Sequence, residues 1–78
     1  MITVKFYGLL RIESGVKELM LQAETVKELC DIIPKVCSAI SPADLKSCVA
    51  IVNGKRVNGR KKLNDGDIVQ FFSPAAGG

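Results

Sequence analysis

The chain has 78 residues, 47% of them apolar and 24% charged, with a net charge of +3 and no histidine. That length holds one domain, and that apolar content belongs to a chain that folds rather than one that stays disordered. No apolar run approaches the roughly 20 residues a membrane span needs, and the alternating opening is not the basic-then-apolar layout of a signal peptide, so a cytoplasmic protein is expected. Without histidine, neither a zinc set nor the commonest general base is available, which argues against catalysis by this chain alone.

Ile2 to Leu9 alternates, with Ile2, Val4 and Phe6 on one side and Thr3, Lys5 and Tyr7 on the other. This is the pattern of a half-buried strand. Arg11 to Gly15 reads as a polar connection ending in a residue suited to positive φ. Val16 to Leu21 reads as a second strand, and the short link between the two predicts an antiparallel hairpin. Thr25-Val26-Lys27-Glu28 fits a capping box, and Val26, Leu29, Cys30 and Ile33 follow at i, i+3, i+4 and i+7, one apolar helix face. Pro34 is expected to end or kink that helix, with Val36, Cys37 and Ile40 nearly continuing the stripe. Ser41-Pro42-Ala43-Asp44 is a second helical start, with serine as cap and proline at the first position.

Ser47 to Val52 reads as a strand that meets Asn53-Gly54, the strongest two-residue hairpin signal, with Lys55 to Val57 as the return strand. Asn64-Asp65-Gly66-Asp67 is a further turn, and Ile68 to Phe72 is the last strand. On it Val69 and Phe71 share one face while Ile68, Gln70 and Phe72 share the other. Phe71 is expected in the core and Phe72 exposed, in an apolar docking patch beside the tail. Covering the open end of the core is the competing role for Phe72.

The order strand, strand, helix, strand, short strand, strand predicts an α+β domain. Its architecture is a mixed sheet of four to five strands with one main helix packed across one face. This is the order of the β-grasp, or ubiquitin-like, fold, in which first and last strands pair in parallel at the sheet centre. The expected division is a globular body over residues 1–72 and a flexible tail over 73–78.

The tail is Ser73-Pro74-Ala75-Ala76-Gly77-Gly78. It offers almost nothing to pack, but two terminal glycines leave the last carbonyl unhindered by a side chain. Such a tail fits a chain whose α-carboxylate is itself a substrate, and extended it would reach about 20 Å. Cys30, Cys37 and Cys48 form no recognisable metal spacing, and they read as small buried apolar residues of a reducing compartment. The scattered carboxylates include no paired-carboxylate site; Asp65 and Asp67 flank Gly66 in a turn.

Five fragments in order resemble one family. They are Val4-Lys5-Phe6-Tyr7-Gly8-Leu9-Leu10-Arg11 with Gly15, Thr25-Val26 with Leu29, Val52-Asn53-Gly54, Leu63-Asn64-Asp65-Gly66-Asp67, and Gly77-Gly78. Together they resemble the MoaD/ThiS ubiquitin-like sulfur carriers, above all the small subunit of molybdopterin synthase. Ser73 stands where the molybdopterin branch often has proline, and Arg60-Lys61-Lys62 is more basic than the usual segment.

The resemblance implies that an E1-like adenylyltransferase, using ATP and magnesium, activates the Gly78 carboxylate. A sulfur donor protein would then convert it to a thiocarboxylate. The tail would enter the molybdopterin synthase large subunit and give up its sulfur, so this chain acts as small subunit and co-substrate with no cofactor of its own. Gly78 and Gly77 would carry the chemistry, and Phe72, Ser73, Pro74, Ala75 and Ala76 would meet the partner. Thiamine thiazole synthesis, tRNA thiolation and protein conjugation use tails of the same kind.

Two readings of other classes remain. Lys55, Arg56, Arg60, Lys61 and Lys62 could contact nucleic acid phosphates, although no aromatic residue sits among them to stack on bases. A ubiquitin-like interaction domain whose Gly-Gly end has no function is the other.

Overall fold

β5, the strand that leads into the tail, lies in the middle of the sheet. The structure is a computed structural model that describes residues 1–73. The strands are β1 (Ile2–Tyr7), β2 (Glu18–Leu21), β3 (Val49–Val52), β4 (Lys55–Val57) and β5 (Ile68–Phe72). The helices are α1 (Leu9–Ser14), α2 (Val26–Val36) and α3 (Pro42–Lys46). The sheet order is β2-β1-β5-β3-β4. β1 and β5 run parallel, with Val4 opposite Val69 and Phe6 opposite Phe71. The other pairings are antiparallel. This is the expected α+β, β-grasp architecture with a mixed five-stranded sheet.

One face of the sheet makes the core. Ile2, Val4 and Phe6 of β1, Val69 and Phe71 of β5 and Val52 of β3 are buried with Val26, Leu29 and Ile33 of α2. Phe6 and Phe71 stack with ring centroids 5.9 Å apart, a favoured aromatic separation. Opposite Phe71 on the neighbouring strand stands Ala50, whose small side chain leaves space for the ring. Leu10, Ile40 and Leu45 close the ends of the cluster.

The start of α2 shows where its unpaired backbone donors go, an obligatory accounting at any helix end. The Thr25 Oγ1 accepts from the Glu28 N–H at 3.1 Å. The Val26 and Lys27 N–H groups donate to the Lys61 and Gly59 carbonyls at 3.1 and 2.9 Å. Carbonyls of the basic segment thus complete the cap, supplying what the threonine alone does not. α3 carries the full reciprocal box between Ser41 and Asp44. At the β3–β4 turn Asn53 and Gly54 have φ of 52° and 80°, the paired left-handed conformation that a type I′ hairpin needs and that Asn-Gly supplies.

Three expectations are corrected. The segment read as a polar connection after β1 is the helix α1, and β1 ends at Tyr7 rather than Leu9. Six residues with one buried side chain, Leu10, are too short to show a period. α2 runs through Pro34 to Val36. Proline there forfeits only its own bond to the Cys30 carbonyl, and the ladder resumes as the Cys37 N–H reaches the Ile33 carbonyl at 2.9 Å. Val36, expected on the apolar stripe, is exposed.

Candidate functional site: the end of β5 and the outer sheet face

Alternation along the strands decides what the second face of the sheet presents. Thr3, Lys5 and Tyr7 point outward from β1, and Ile68, Gln70 and Phe72 do so from β5. The register sets these side chains in rows across the sheet. The row nearest the tail is Tyr7, Phe72 and Val49, the next is Glu18, Lys5, Gln70, Ile51 and Arg56, and the last is Met20, Thr3 and Ile68. Phe72 is 36% exposed and Phe71 1%. The split of the two rings between solvent and core is therefore as expected.

Phe72 is held, not loose. Its ring stacks on Tyr7 with centroids 4.7 Å apart and planes 11° from parallel. The Gln70 amide donates to the Tyr7 hydroxyl at 3.3 Å, and Lys5 faces Glu18 at 3.9 Å. The outer face is thus apolar at both ends, with Met20 and Ile68 exposed at the far end and a polar band between.

β1 and β5 part company after Tyr7 and Phe72, where the chain turns into α1 on one side and enters the tail on the other. Ser73 remains against the body. Its N–H donates to the Tyr7 carbonyl at 3.3 Å and its hydroxyl donates to the same oxygen at 3.2 Å. The hydroxyl also accepts from the Leu10 N–H at 2.8 Å. Sequence reasoning missed this arrangement. Its one signal is that Gly8 and Ser73 follow paired residues in a parallel register. Pro74, Ala75, Ala76, Gly77 and Gly78, expected as the arm and its reactive end, lie outside the described residues.

Two of the three cysteines, Cys30 and Cys48, make poor sulfur nucleophiles. Each is half-buried and free. Burial pushes the Cys30 thiol above the usual thiol range, and neighbouring Asp31 adds to it. Cys48 is raised in the same way by burial, then by Asp44 and Cys30, and its Sγ donates to the Asp44 carbonyl at 3.2 Å. Since the thiolate is the reactive form, the upward shifts at Cys30 and Cys48 disfavour it there. No described helix is long and apolar enough to cross a membrane.

The model of the ThiS family matches residues 4–78, nearly the whole chain. The chain belongs to the ThiS family. This places it among the ubiquitin-like sulfur carriers that its sequence resembles. A comparison with curated proteins finds no match. Solved structures share the fold of this ThiS-family chain. A putative molybdopterin converting factor subunit 1 from Pyrococcus furiosus is 26% identical, with a TM-score of 0.70 and 94% and 95% of the two chains covered. A chain of the Amycolatopsis orientalis BexX/CysO complex is 24% identical, with a TM-score of 0.81 and full coverage of both. A chain of the complex of subunits 1 and 2 of molybdopterin-converting factor from Helicobacter pylori is 24% identical, with a TM-score of 0.71 and coverage of 99% and 97%. Two of the three were solved with a partner subunit.

Proposed function

We propose that this chain carries sulfur as a thiocarboxylate on Gly78 and delivers it in molybdopterin synthesis. The observation that carries the reading is the match of a sulfur-carrier family over residues 4–78, in a chain where burial raises the thiols of Cys30 and Cys48. A carboxylate is anionic and has no usable leaving group. The E1-like adenylyltransferase uses ATP and magnesium to join it to AMP with loss of pyrophosphate. Sulfur from the donor protein attacks the acyl carbon and AMP leaves. The product is a thiocarboxylate, and no net oxidation occurs when the donor delivers sulfur at the sulfide level. The arm then enters the molybdopterin synthase large subunit, while the Tyr7–Phe72 row docks the body beside it. The molybdopterin assignment draws on the resemblance of the Phe71-Phe72-Ser73-Pro74 lead-in to that branch and on the two molybdopterin converting factor neighbours.

The test is incubation with the adenylyltransferase, ATP, magnesium and sulfide, followed by mass spectrometry of the intact chain and of its fragments. The expected gain is that of one sulfur replacing one oxygen, on Gly78. A variant with Cys30, Cys37 and Cys48 all changed to alanine is expected to gain the same mass, and a variant lacking Gly78 to gain none while melting at the wild-type temperature. A persulfide on a cysteine, or sulfur transfer by the truncated chain, would refute the reading.

A further inference from the structure

α1 has no cap of its own. Its N-cap residue is Gly8, which brings no side chain, so the donors of its first turn need a partner from elsewhere. The Ser73 hydroxyl, from the far end of the chain, accepts the Leu10 N–H at 2.8 Å and turns its own proton to the Tyr7 carbonyl. Serine is a preferred capping residue because its short hydroxyl reaches such donors; here it caps in trans. Gly8 makes the approach possible in two ways. Its φ of 77° and ψ of −149° lie in a region that glycine alone adopts readily. A Cβ built there would also sit 2.7 Å from the Ser73 carbonyl oxygen and 2.8 Å from its Oγ. The two residues form one latch at the root of the tail.

We propose that Ser73 is a positioning residue for the transfer at Gly78, fixing through the Gly8–Leu10 segment the point from which the arm departs; this rests on the carrier reading above. The latch holds Ser73 against the body. The chain therefore leaves the body from a fixed place beside the Tyr7–Phe72 row. Body docking and arm placement become separate steps. Breaking the latch leaves the docking row intact and releases Ser73, whose backbone must then be ordered again at each transfer. Ordering one residue's backbone corresponds to a factor of about 5 to 30.

The experiment compares wild type, Ser73→Ala, Ser73→Thr and Gly8→Ala. The first readout needs no partner: amide hydrogen exchange at Leu10 is expected to quicken about 2- to 12-fold in Ser73→Ala, the range for one net hydrogen bond. Val4 and Phe6 should exchange as before, and Ser73→Thr, which keeps the hydroxyl, should behave as wild type. The second readout is sulfur loading by the organism's own adenylyltransferase of this class with ATP, magnesium and sulfide. In Ser73→Ala the loss should fall on kcat, about 5- to 30-fold, with KM for the carrier unchanged and Ser73→Thr restoring the rate. Gly8→Ala should give the same kcat loss from the other side of the latch. Partial unfolding would instead lower the active concentration and raise the apparent KM. Wild-type kcat in Ser73→Ala, a loss confined to KM, or unchanged Leu10 exchange would each overturn the proposal. If wild type itself is not loaded, the carrier reading and the positioning role fall together, while Leu10 exchange still decides whether the latch exists.

Discussion

Phe71 and Phe72 are chemically identical neighbours on one strand, and replacing each with alanine separates fold from docking. Phe71 is fully buried and stacked on Phe6, so its removal leaves a cavity and should cost about 3–5 kcal/mol. A domain of 78 residues has about 4–12 kcal/mol in total, so Phe71→Ala should lower the melting temperature by more than about 12 °C. Phe72 loses the Tyr7 stack and partial burial on an open face, together about 1–2 kcal/mol. If it anchors the docking row, Phe72→Ala should weaken binding to the adenylyltransferase or the synthase large subunit by about 2 kcal/mol, roughly 30-fold. Urea denaturation gives the stabilities and titration calorimetry the affinities. If Phe72→Ala destabilises as much as Phe71→Ala, or binds its partners with wild-type affinity, Phe72 covers the core and the docking assignment is wrong.

Leu29→Ala, at a fully buried position on α2, should cost about 2–5 kcal/mol in urea denaturation; a loss under about 1 kcal/mol would mean the helix face is misassigned. Asp65 should make stability depend on pH in the acid range. Its hydrogen bond with the Met1 ammonium, and then that group's charge, hold its carboxyl below the ordinary value. A depressed carboxyl contributes stability that is fully present above the unfolded value and is lost as pH falls through the folded one. Asp65→Asn should therefore be the less stable protein at neutral pH and match wild type at strongly acid pH, and a difference that persists in acid would assign the effect to something other than this ion pair.

The parts that sequence disclosed are those with a short-range physical signature. Asn53-Gly54 named its turn because few residues take left-handed φ. β4 and β5 appear with the expected bounds, since alternation and turns delimit them. Val26, Leu29 and Ile33 named the buried helix face through their spacing, and the alternation of β5 divided Phe71 from Phe72. The parts that stayed hidden depend on distant partners. The carbonyls of Gly59 and Lys61 cap α2 from a loop far along the chain. α1 is stabilised by Leu10 in the core and by a serine more than sixty residues away, and neither leaves a periodic trace. Of the two outcomes expected at Pro34, an end at that residue does not occur, because the cost of a proline depends on how many residues of helix follow it and only two do. The expectation for the Gly77-Gly78 end falls outside the described residues and rests on what its carboxylate can undergo chemically.

The central position of β5 has a consequence for how the molecule is made. On the ribosome β1, β2, β3 and β4 all emerge before it, yet β1 and β3 have no direct pairing and wait for β5 to fill the gap between them. Residues 1–67 alone would hold two separate hairpins with inner edges open to other chains, a state prone to aggregation. Closure therefore comes with the last-made strand, and long-range pairing of this kind is slow. The root of the arm beside Tyr7 comes into being in the same event. If the carrier reading proposed above holds, nascent or broken chains would present no finished Tyr7–Phe72 row to an activating enzyme, and the topology would restrict activation to molecules that have completed folding.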